Sequence, residues 1–517
     1  MEAVSSKRYR LPVGRETGRV KKYILAIDQG TTGTTAIIFD HNGRPVCRGY
    51  QEFPQYYPQP GWVEHDPAEI WEATVGAIQE ALYGPIGAEE IAAIGITNQR
   101  ETTVAWNRLT GRPEGTAVVW QCRRTAPMCQ RLKDAGYSEL FRGKTGLVLD
   151  PYFSGTKMAW LLENRSGLRA KAKQGQVCFG TIDSWLIWCL TGGKHHVTDY
   201  TNASRTLLYD ICRLEWDEEL LEILDIPPQV LPEVLPSCGF FGVTADLACL
   251  PAGTPIYGVA GDQQAALFGQ TCFQPGMVKN SYGTGCFVLM NTGSEAIISK
   301  QGLLTTIAWG LEPGKVVYAL EGSVFIAGAV VQWLRDELRI IEHAAETEGL
   351  AEAVADTAGV YLVPAFVGLG TPYWDPYARG VMVGLTRGVN RNHLARAALE
   401  SIAYQSRDVL LAMQREAGIP IPVLRVDGGA SVNNFLMQFQ ADILSVVVER
   451  PRVTETTAMG AAFLAGLGCG LWSDLDTITG TWERERQFSP KMSEDRRSSL
   501  CHGWQRAVER CLGWIEH

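Results

Sequence analysis

The sequence is poor in the features that would mark a metal, disulfide, membrane or nucleic-acid protein. Its 13 cysteines form no C-x-x-C pair, and its eight histidines show neither metal spacing nor helical pairing. An odd, scattered set of thiols argues against a disulfide framework and for reduced cysteines in a cytoplasmic setting. Cys178 and Cys189 lie among apolar neighbours and are expected to act as small hydrophobes, while His195 and His196 are expected at the surface. No apolar run approaches the ~20 residues that span a bilayer. Basic charge is scarce too: a net charge of −9 leaves no footprint for nucleic acid. The exception is residues 1–22, with seven Lys or Arg against two Glu and no apolar stretch of signal-peptide length, read as a basic N-terminal extension.

What remains is an ordinary folded composition, and 517 residues exceed a single core. Two domains of about 250 residues are the natural division. From residue 23 to about 270, strand-like runs (91–96, 102–106, 117–120) interleave with helical stretches at 67–82 and 157–163. Asp66 and Pro67 read as the N-cap and first residue of one helix, placing Trp71 and Val75 inward. A second α/β block begins near Thr271, with helices around 328–338, 393–413 and 433–444, and a strand at 423–426 that meets the glycine turn Asp427-Gly-Gly-Ala430.

Two matching turns organise these blocks. Asp28-Gln-Gly-Thr-Thr-Gly33 and Tyr282-Gly-Thr-Gly-Cys286 each lie between two short apolar runs and read as hairpins. Glycine lets backbone come close to an anion, and exposed N–H groups and threonine hydroxyls donate to phosphate oxygens. Neither turn is followed by Gly-Lys-Ser/Thr, and neither has the spacing of a dinucleotide fingerprint. Singly, each is a plain tight hairpin; the pair, half a chain apart, points to two grips on a polyphosphate.

Three clusters carry further chemistry. Thr97-Asn-Gln-Arg-Glu-Thr102 closes an apolar strand with an amide, a cation and an anion, a set suited to polyol hydroxyls, although a solvated charge pair fits the same residues. Asp150-Pro-Tyr-Phe-Ser-Gly-Thr-Lys157 sets a phenol and a lysine around a turn before a helix, as a simple capped turn also would. Gly258-Val-Ala-Gly-Asp-Gln-Gln264 puts Asp262 at a strand end with small residues around it, a place for a general base and equally for a helix cap.

These residues resemble the FGGY carbohydrate kinase family, within the actin, hexokinase and Hsp70 ATPase superfamily, from about Tyr23 to beyond Leu464. Tyr152-Phe-Ser-Gly-Thr-Lys-Met-Ala-Trp160 is similar to one family signature. Gly380-Val-Met-Val-Gly-Leu385, leading to His393-Leu-Ala-Arg-Ala-Ala-Leu-Glu400, is similar to the other. Asn98-Gln-Arg-Glu-Thr102, Val119-Trp-Gln-Cys-Arg-Arg124 and Gly261-Asp-Gln-Gln264 resemble the glycerol-phosphorylating members in particular.

The resemblance implies an α/β protein of two ribonuclease H-like, actin-like ATPase domains, 23–270 and 271–517, each a twisted mixed sheet flanked by helices, with the active site between them. It implies ATP-dependent phosphorylation of glycerol to sn-glycerol 3-phosphate with Mg²⁺, in a cytoplasmic homo-oligomer, dimer or tetramer. Arg100, Glu101, Tyr152, Asp262 and Gln263 would hold glycerol hydroxyls, with Trp120 and Phe287 on its carbon face and Asp262 as base. Thr31, Thr32, Gly33 and Thr284 would contact phosphates, Asp28 would hold Mg²⁺ through water, and Gly328, Gln332, Gly429 and Asn433 would line the nucleotide site. Thr35 stands where many members have arginine and Gly33 where they have a small hydroxyl residue, which puts one phosphate contact in doubt. Residues 244–253 lack the glycine-rich basic loop through which some bacterial members bind fructose 1,6-bisphosphate, so no inhibition by that ligand is expected. Two rivals fit less well. Another FGGY sugar kinase would not need the Arg100, Glu101 and Trp120 set, and an actin-like or chaperone-like ATPase would need no polyol grip.

Overall fold

A computed structural model describes residues 21–516. The basic extension assigned to 1–22 therefore lies, apart from Lys21 and Lys22, outside the described residues. In the N-terminal half, β1 (Tyr23–Gln29), β2 (Gly33–Phe39) and β3 (Pro45–Glu52) form an antiparallel meander. β4 (Ile91–Asn98) then joins β1 in parallel. The short strand β5 (Gly242–Val243) pairs antiparallel with β6 (Pro255–Gly261), which runs parallel to β4, giving the order β5-β6-β4-β1-β2-β3.

The C-terminal half repeats this plan. β7 (Val278–Tyr282), β8 (Cys286–Gly293), β9 (Leu304–Glu312) and β10 (Lys315–Val324) are antiparallel neighbours in the order β9-β10-β8-β7. β11 (Leu424–Asp427) and β12 (Val448–Pro451) extend the sheet in parallel from β7, and β13 (Arg484–Phe488) closes the edge. Thus β3-β2-β1-β4-β6 corresponds strand by strand to β10-β8-β7-β11-β12. The paired threonine turns occupy the same place in both sheets.

Alternation fixes the two faces of the first sheet. Leu25, Ile27, Ala36, Ile38, Ile94 and Ile96 enter a core with helix α1 (Pro67–Leu82). Ile24, Ala26, Ile37, Phe39 and Ala93 enter a second core, which they share with Leu289 and Ala319 of the other sheet and with α7, introduced below. Burial on both faces explains why these strands read as continuous apolar runs. Asp66 caps α1 as expected, accepting from Ala68 N at 2.8 Å with Pro67 in the first turn. The inward face is nevertheless Ile70, Ala73, Thr74, Ala77, Ile78 and Ala81; Trp71 and Val75 are only half-buried, because the sheet lies one residue round the helix from them.

Helix α2 (Ser154–Asn164) includes the 157–163 stretch, and α3 (Asp262–Gly269) follows β6 directly. In the second half lie α4 (Gly328–Asp336), α5 (Arg391–Ala417), α6 (Asn434–Leu444) and α7 (Thr456–Cys469). α7 is small and apolar on all sides, as befits a buried helix. It belongs to the C-terminal half in sequence yet presses on the N-terminal sheet, with glycines making room. A Cβ on Gly95 would sit 2.2 Å from Ala461 O, and one on Gly460 1.8 Å from Ala265 O.

Three expectations need correction. The runs at 102–106 and 117–120 contribute strands only at Val104–Asn107 and Ala117–Val118, both outside the main sheets. Thr102 and Trp120 instead form turns tied to each other, Trp120 N donating to Thr102 Oγ1 at 3.2 Å. His196 is half-buried rather than exposed: its ring packs edge-on against Trp106, and Nε2 bonds Phe179 O at 2.8 Å, with burial pushing its pKa down to about 4. His195 is half-buried beside Gly242. No helix among the described residues is long and apolar enough to cross a membrane.

Candidate active site

β1 and β4 are parallel neighbours, so the polar residues at their C-terminal ends emerge together, where open α/β sheets bind ligands. Arg100 follows β4 with its side chain 2% exposed and serves as the hub. Its Nε lies 3.0 Å from Asp262 Oδ1; Nη1 donates to Glu321 at 2.6 Å and to Gln264 Oε1 at 3.2 Å; Nη2 donates to Glu321 at 3.0 Å and to Tyr152 Oη at 3.4 Å.

Glu101 occupies the left-handed backbone region at φ 63, a strained place for a residue with a Cβ. Its carbonyl is fixed by Ser154 Oγ at 3.1 Å and Lys157 Nζ at 3.4 Å. Its carboxylate accepts from Arg205 Nε at 2.7 Å. Tyr152 stands edge-on to Trp120, ring centroids 5.6 Å apart, and the Trp120 indole N–H donates to Thr31 Oγ1 at 3.0 Å, joining this polar cluster to the first threonine turn.

Asp262 opens α3, just after Gly261, where a Cβ would meet the Arg100 side chain at 2.7 Å. Its Oδ1 takes both the Gln263 N–H at 2.7 Å and Arg100 Nε at 3.0 Å, and the side chain remains 32% exposed. The helix cap proper is Gly261, so Asp262 is bound at one oxygen and open at the other. Gln263 accepts from Lys279 Nζ of β7. Phe287, half-buried, faces Ser281 and Ser323 across β8's two neighbours.

The phosphate turns are close analogues. In the first, Gly30 N donates to Gly33 O at 2.9 Å; in the second, Gly283 N donates to Gly285 O at 2.9 Å. Thr31 is half-buried, and Thr32 and Thr284 are exposed. Gly33 has a packing reason of its own, since a Cβ there would lie 2.7 Å from the Tyr50 ring. The second turn meets α4: Gly328 N donates to Gly283 O at 2.9 Å, Ala327 N to Thr284 O at 2.8 Å, and a Cβ on Gly328 would sit 2.6 Å from Gly283 O. Gln332 is exposed one turn along α4. Beyond β11, Gly428 lies against the Tyr282 backbone, whereas Gly429 faces open space. Asn433 caps α6 through Leu436 N at 2.9 Å and donates to Thr347 Oγ1 at 3.2 Å.

The electrostatics separate two regions. Around Arg100 the charges cancel: burial alone would push Glu321 up, but Arg100 and Arg205 outweigh it and hold the carboxyl at about 2. Burial lowers Lys157 and Lys279 to about 8 each. At the first turn they do not cancel. Burial, with Asp262 and then Glu455 adding to it, raises Asp28 to about 7, and no side-chain ion pair reaches it among the described residues.

The sequence clusters named Arg100, Glu101, Tyr152 and Asp262, and the structure brings them together. Glu321, Arg205 and Lys279 were missed. The available signal was modest: Glu321 is an acid inside the apolar strand Tyr318-Ala-Leu-Glu-Gly322, where an unpaired charge would not be tolerated.

Comparison with known proteins agrees with this geometry. Residues 23–269 match the N-terminal domain model of the FGGY family of carbohydrate kinases, and residues 278–469 match its C-terminal domain model. "Glycerol kinase 2" of Thermotoga maritima is 60% identical over 494 residues, covering 95% of this chain and 99% of the relative. A glycerol kinase of Caldanaerobacter subterraneus subsp. tengcongensis is 61% identical over 499 residues, 96% of this chain and 99% of the relative. Among solved structures, Plasmodium falciparum glycerol kinase with ADP superposes with a TM-score of 0.91 at 37% identity, covering 97% of this chain and all of that one. A gluconate kinase from Lactobacillus acidophilus, TM-score 0.84 at 24% identity over 95% of this chain and 96% of that one, shares the fold.

Proposed function

Since the chain belongs to the FGGY family of carbohydrate kinases, we propose from its acceptor cluster and its relatives that it transfers the γ-phosphoryl group of ATP to glycerol, giving sn-glycerol 3-phosphate. One observation carries the choice of acceptor: Arg100 Nε stands between two carboxylates, 3.0 Å from Asp262 and 3.8 Å from Glu101, beside Trp120 and Tyr152. That is a compact set of donors and acceptors with an aromatic wall, sized for a small polyol.

Phosphoryl transfer asks for in-line alignment, charge neutralisation and a base near the attacking hydroxyl. The open oxygen of Asp262 takes the proton of the terminal hydroxyl, while Arg100 and Glu101 fix the other hydroxyls, Tyr152 and Gln263 complete the polar lining, and Trp120 and Phe287 cover the carbon face. The N–H groups and hydroxyls of Thr31, Thr32, Gly33 and Thr284 meet the phosphates from two sides. Gly328, Gln332, Gly429 and Asn433 bound the nucleoside, with Gly429's open face admitting a flat ring.

Mg²⁺ bound with the nucleotide supplies countercharge to the phosphates. Asp28 fits such an ion through water, because its carboxyl is crowded by Asp262 and Glu455 and no cation among the described residues pairs with it. We place the domain division at residues 270–271 and read the protein as a cytoplasmic homo-oligomer.

The test is a coupled ADP-release assay over small polyols and sugars, with the product identified by mass. Removing one acceptor hydroxyl leaves buried polar groups unpaired at roughly 1–3 kcal/mol each, so 1,3-propanediol should show kcat/KM about 10- to 100-fold below glycerol. Equal values would overturn the assignment of the grip. Faster turnover of xylulose or ribulose would make the protein a different FGGY kinase.

A further inference from the structure

Lys279, Leu289 and Glu321 form a single rung across three strands. Lys279 pairs with Leu289 between β7 and β8, and Leu289 pairs with Glu321 between β8 and β10. Residues directly opposite in neighbouring strands share a sheet face. The rung therefore offers an ammonium, an apolar group and a carboxylate side by side. Leu289 sits in the core shared with Ile24, Ala260 and Ala265 of the N-terminal half, which shows the direction the rung faces.

Both charges find partners in the other half of the molecule, Lys279 keeping one on its own strand as well. Lys279 reaches Gln263 and, at 3.0 Å, Ser281 Oγ. Glu321 receives Arg100 through Nη1 and Nη2 at 2.6 and 3.0 Å, and Arg205 Nη2 at 3.0 Å. A sealed ion cluster of this kind is weak grounds for stability, because apolar residues of equal volume often serve as well. What it does achieve is orientation. With both terminal nitrogens of Arg100 held by Glu321, the guanidinium plane is fixed and Nε is turned to Asp262.

We propose that Glu321, with Lys279 beside it, is a positioning residue of the acceptor site, through which the C-terminal half sets how the N-terminal half grips its polyol. This rests on the acceptor reading above. Neither residue is needed to touch the substrate: Glu321 acts through Arg100, and Lys279 through Gln263. Loss of the Glu321 charge frees Arg100 to turn toward Glu101 and Asp262, so acceptor selection suffers as well as rate.

The experiment compares wild type, Glu321→Gln and Glu321→Asp for KM and kcat with glycerol, for the ratio of kcat/KM between glycerol and 1,3-propanediol, and for ADP affinity by calorimetry without acceptor. Unpairing a buried, hydrogen-bonded charge predicts that Glu321→Gln loses about 30- to 1,000-fold in kcat/KM for glycerol. ADP affinity should stay within about twofold, and the glycerol preference should shrink by about tenfold. Glu321→Asp, which keeps the charge one methylene short, should fall between. If Glu321→Gln melts like wild type, binds ADP normally and keeps both kcat/KM and the acceptor ratio within threefold, the proposal is overturned. Should Glu321→Gln not fold, Glu321→Asp decides by the same ratio: an unchanged preference overturns the proposal and a reduced one supports it. Failure of wild type to phosphorylate glycerol would instead count against the function proposed above. The positioning role would then be read with whichever acceptor wild type turned over.

Discussion

Asp262 and Asp28 lie on the same cleft and are set up for opposite duties. Asp262 has Arg100 at 3.0 Å and one open oxygen. Asp262→Asn keeps size and much of the hydrogen bonding but removes the proton acceptor, so kcat should fall by about 10²–10⁴ with glycerol affinity little changed. Steady-state kinetics with a folded variant check this; a wild-type kcat would move the base elsewhere. Asp28 is held at about 7 by burial and by its acidic neighbours. A carboxyl raised in the folded state binds more protons folded than unfolded between about pH 4 and pH 7, so stability declines as pH rises through that window. Asp28→Asn should therefore stabilise the ligand-free protein at pH 8 by about 1–2 kcal/mol, after discounting for solvent at this half-buried group, and by nothing near pH 4. Thermal melts at both pH values test this. Added Mg²⁺ with ADP should stabilise wild type at pH 8 more than it does the variant. At this scale, residues in short runs such as 98–102 and 261–264 were legible because their chemistry is local. Glu321 and Arg205 were not, since their roles come from partners more than 100 positions away.

Among the elements, the hairpins were the most legible, because each threonine turn adjoins two apolar runs that can only be strands. Their repeat carried over to the strand order of both sheets. Helix faces were read less well: Trp71 and Val75, four apart, share a face, but the sheet selects the face of Ile70, Ala77 and Ile78. α7 was not distinguished at all, since an element apolar on every side has no period to detect. Its contact with the N-terminal half rests on missing side chains. Gly460→Ala would place a methyl carbon 1.8 Å from Ala265 O, against backbone that cannot turn aside. The expected cost is on the order of 2–3 kcal/mol, seen as a lower urea midpoint with an unchanged slope. A midpoint equal to wild type would mean that α7 is free to shift on the sheet.

In the whole molecule the two halves are tied by buried polar contacts, those of Arg100 and Arg205 with Glu321 and of Lys279 with Gln263, and by the core in which Ile24, Ile37 and Phe39 join Leu289, Ala319 and α7. Calorimetry should accordingly show one unfolding transition for the full chain. A chain ended at residue 277 should aggregate or bind an apolar dye, because the α7 face of its sheet would be bare. Two resolved transitions, or a soluble compact N-terminal fragment, would show that the halves fold independently.

The position of α7 also sets a schedule for the growing polypeptide. The last long strand of the first sheet ends at Gly261, and the helix that covers its open face begins at Thr456. Roughly 200 residues must leave the ribosome in between, about 10–40 s at usual elongation rates. Throughout that interval Ile24, Ala26, Ile37 and Phe39 lack the α7 residues that complete their core. Synthesis of this chain consequently includes a long stage in which that face of the sheet awaits the helix that completes its cover.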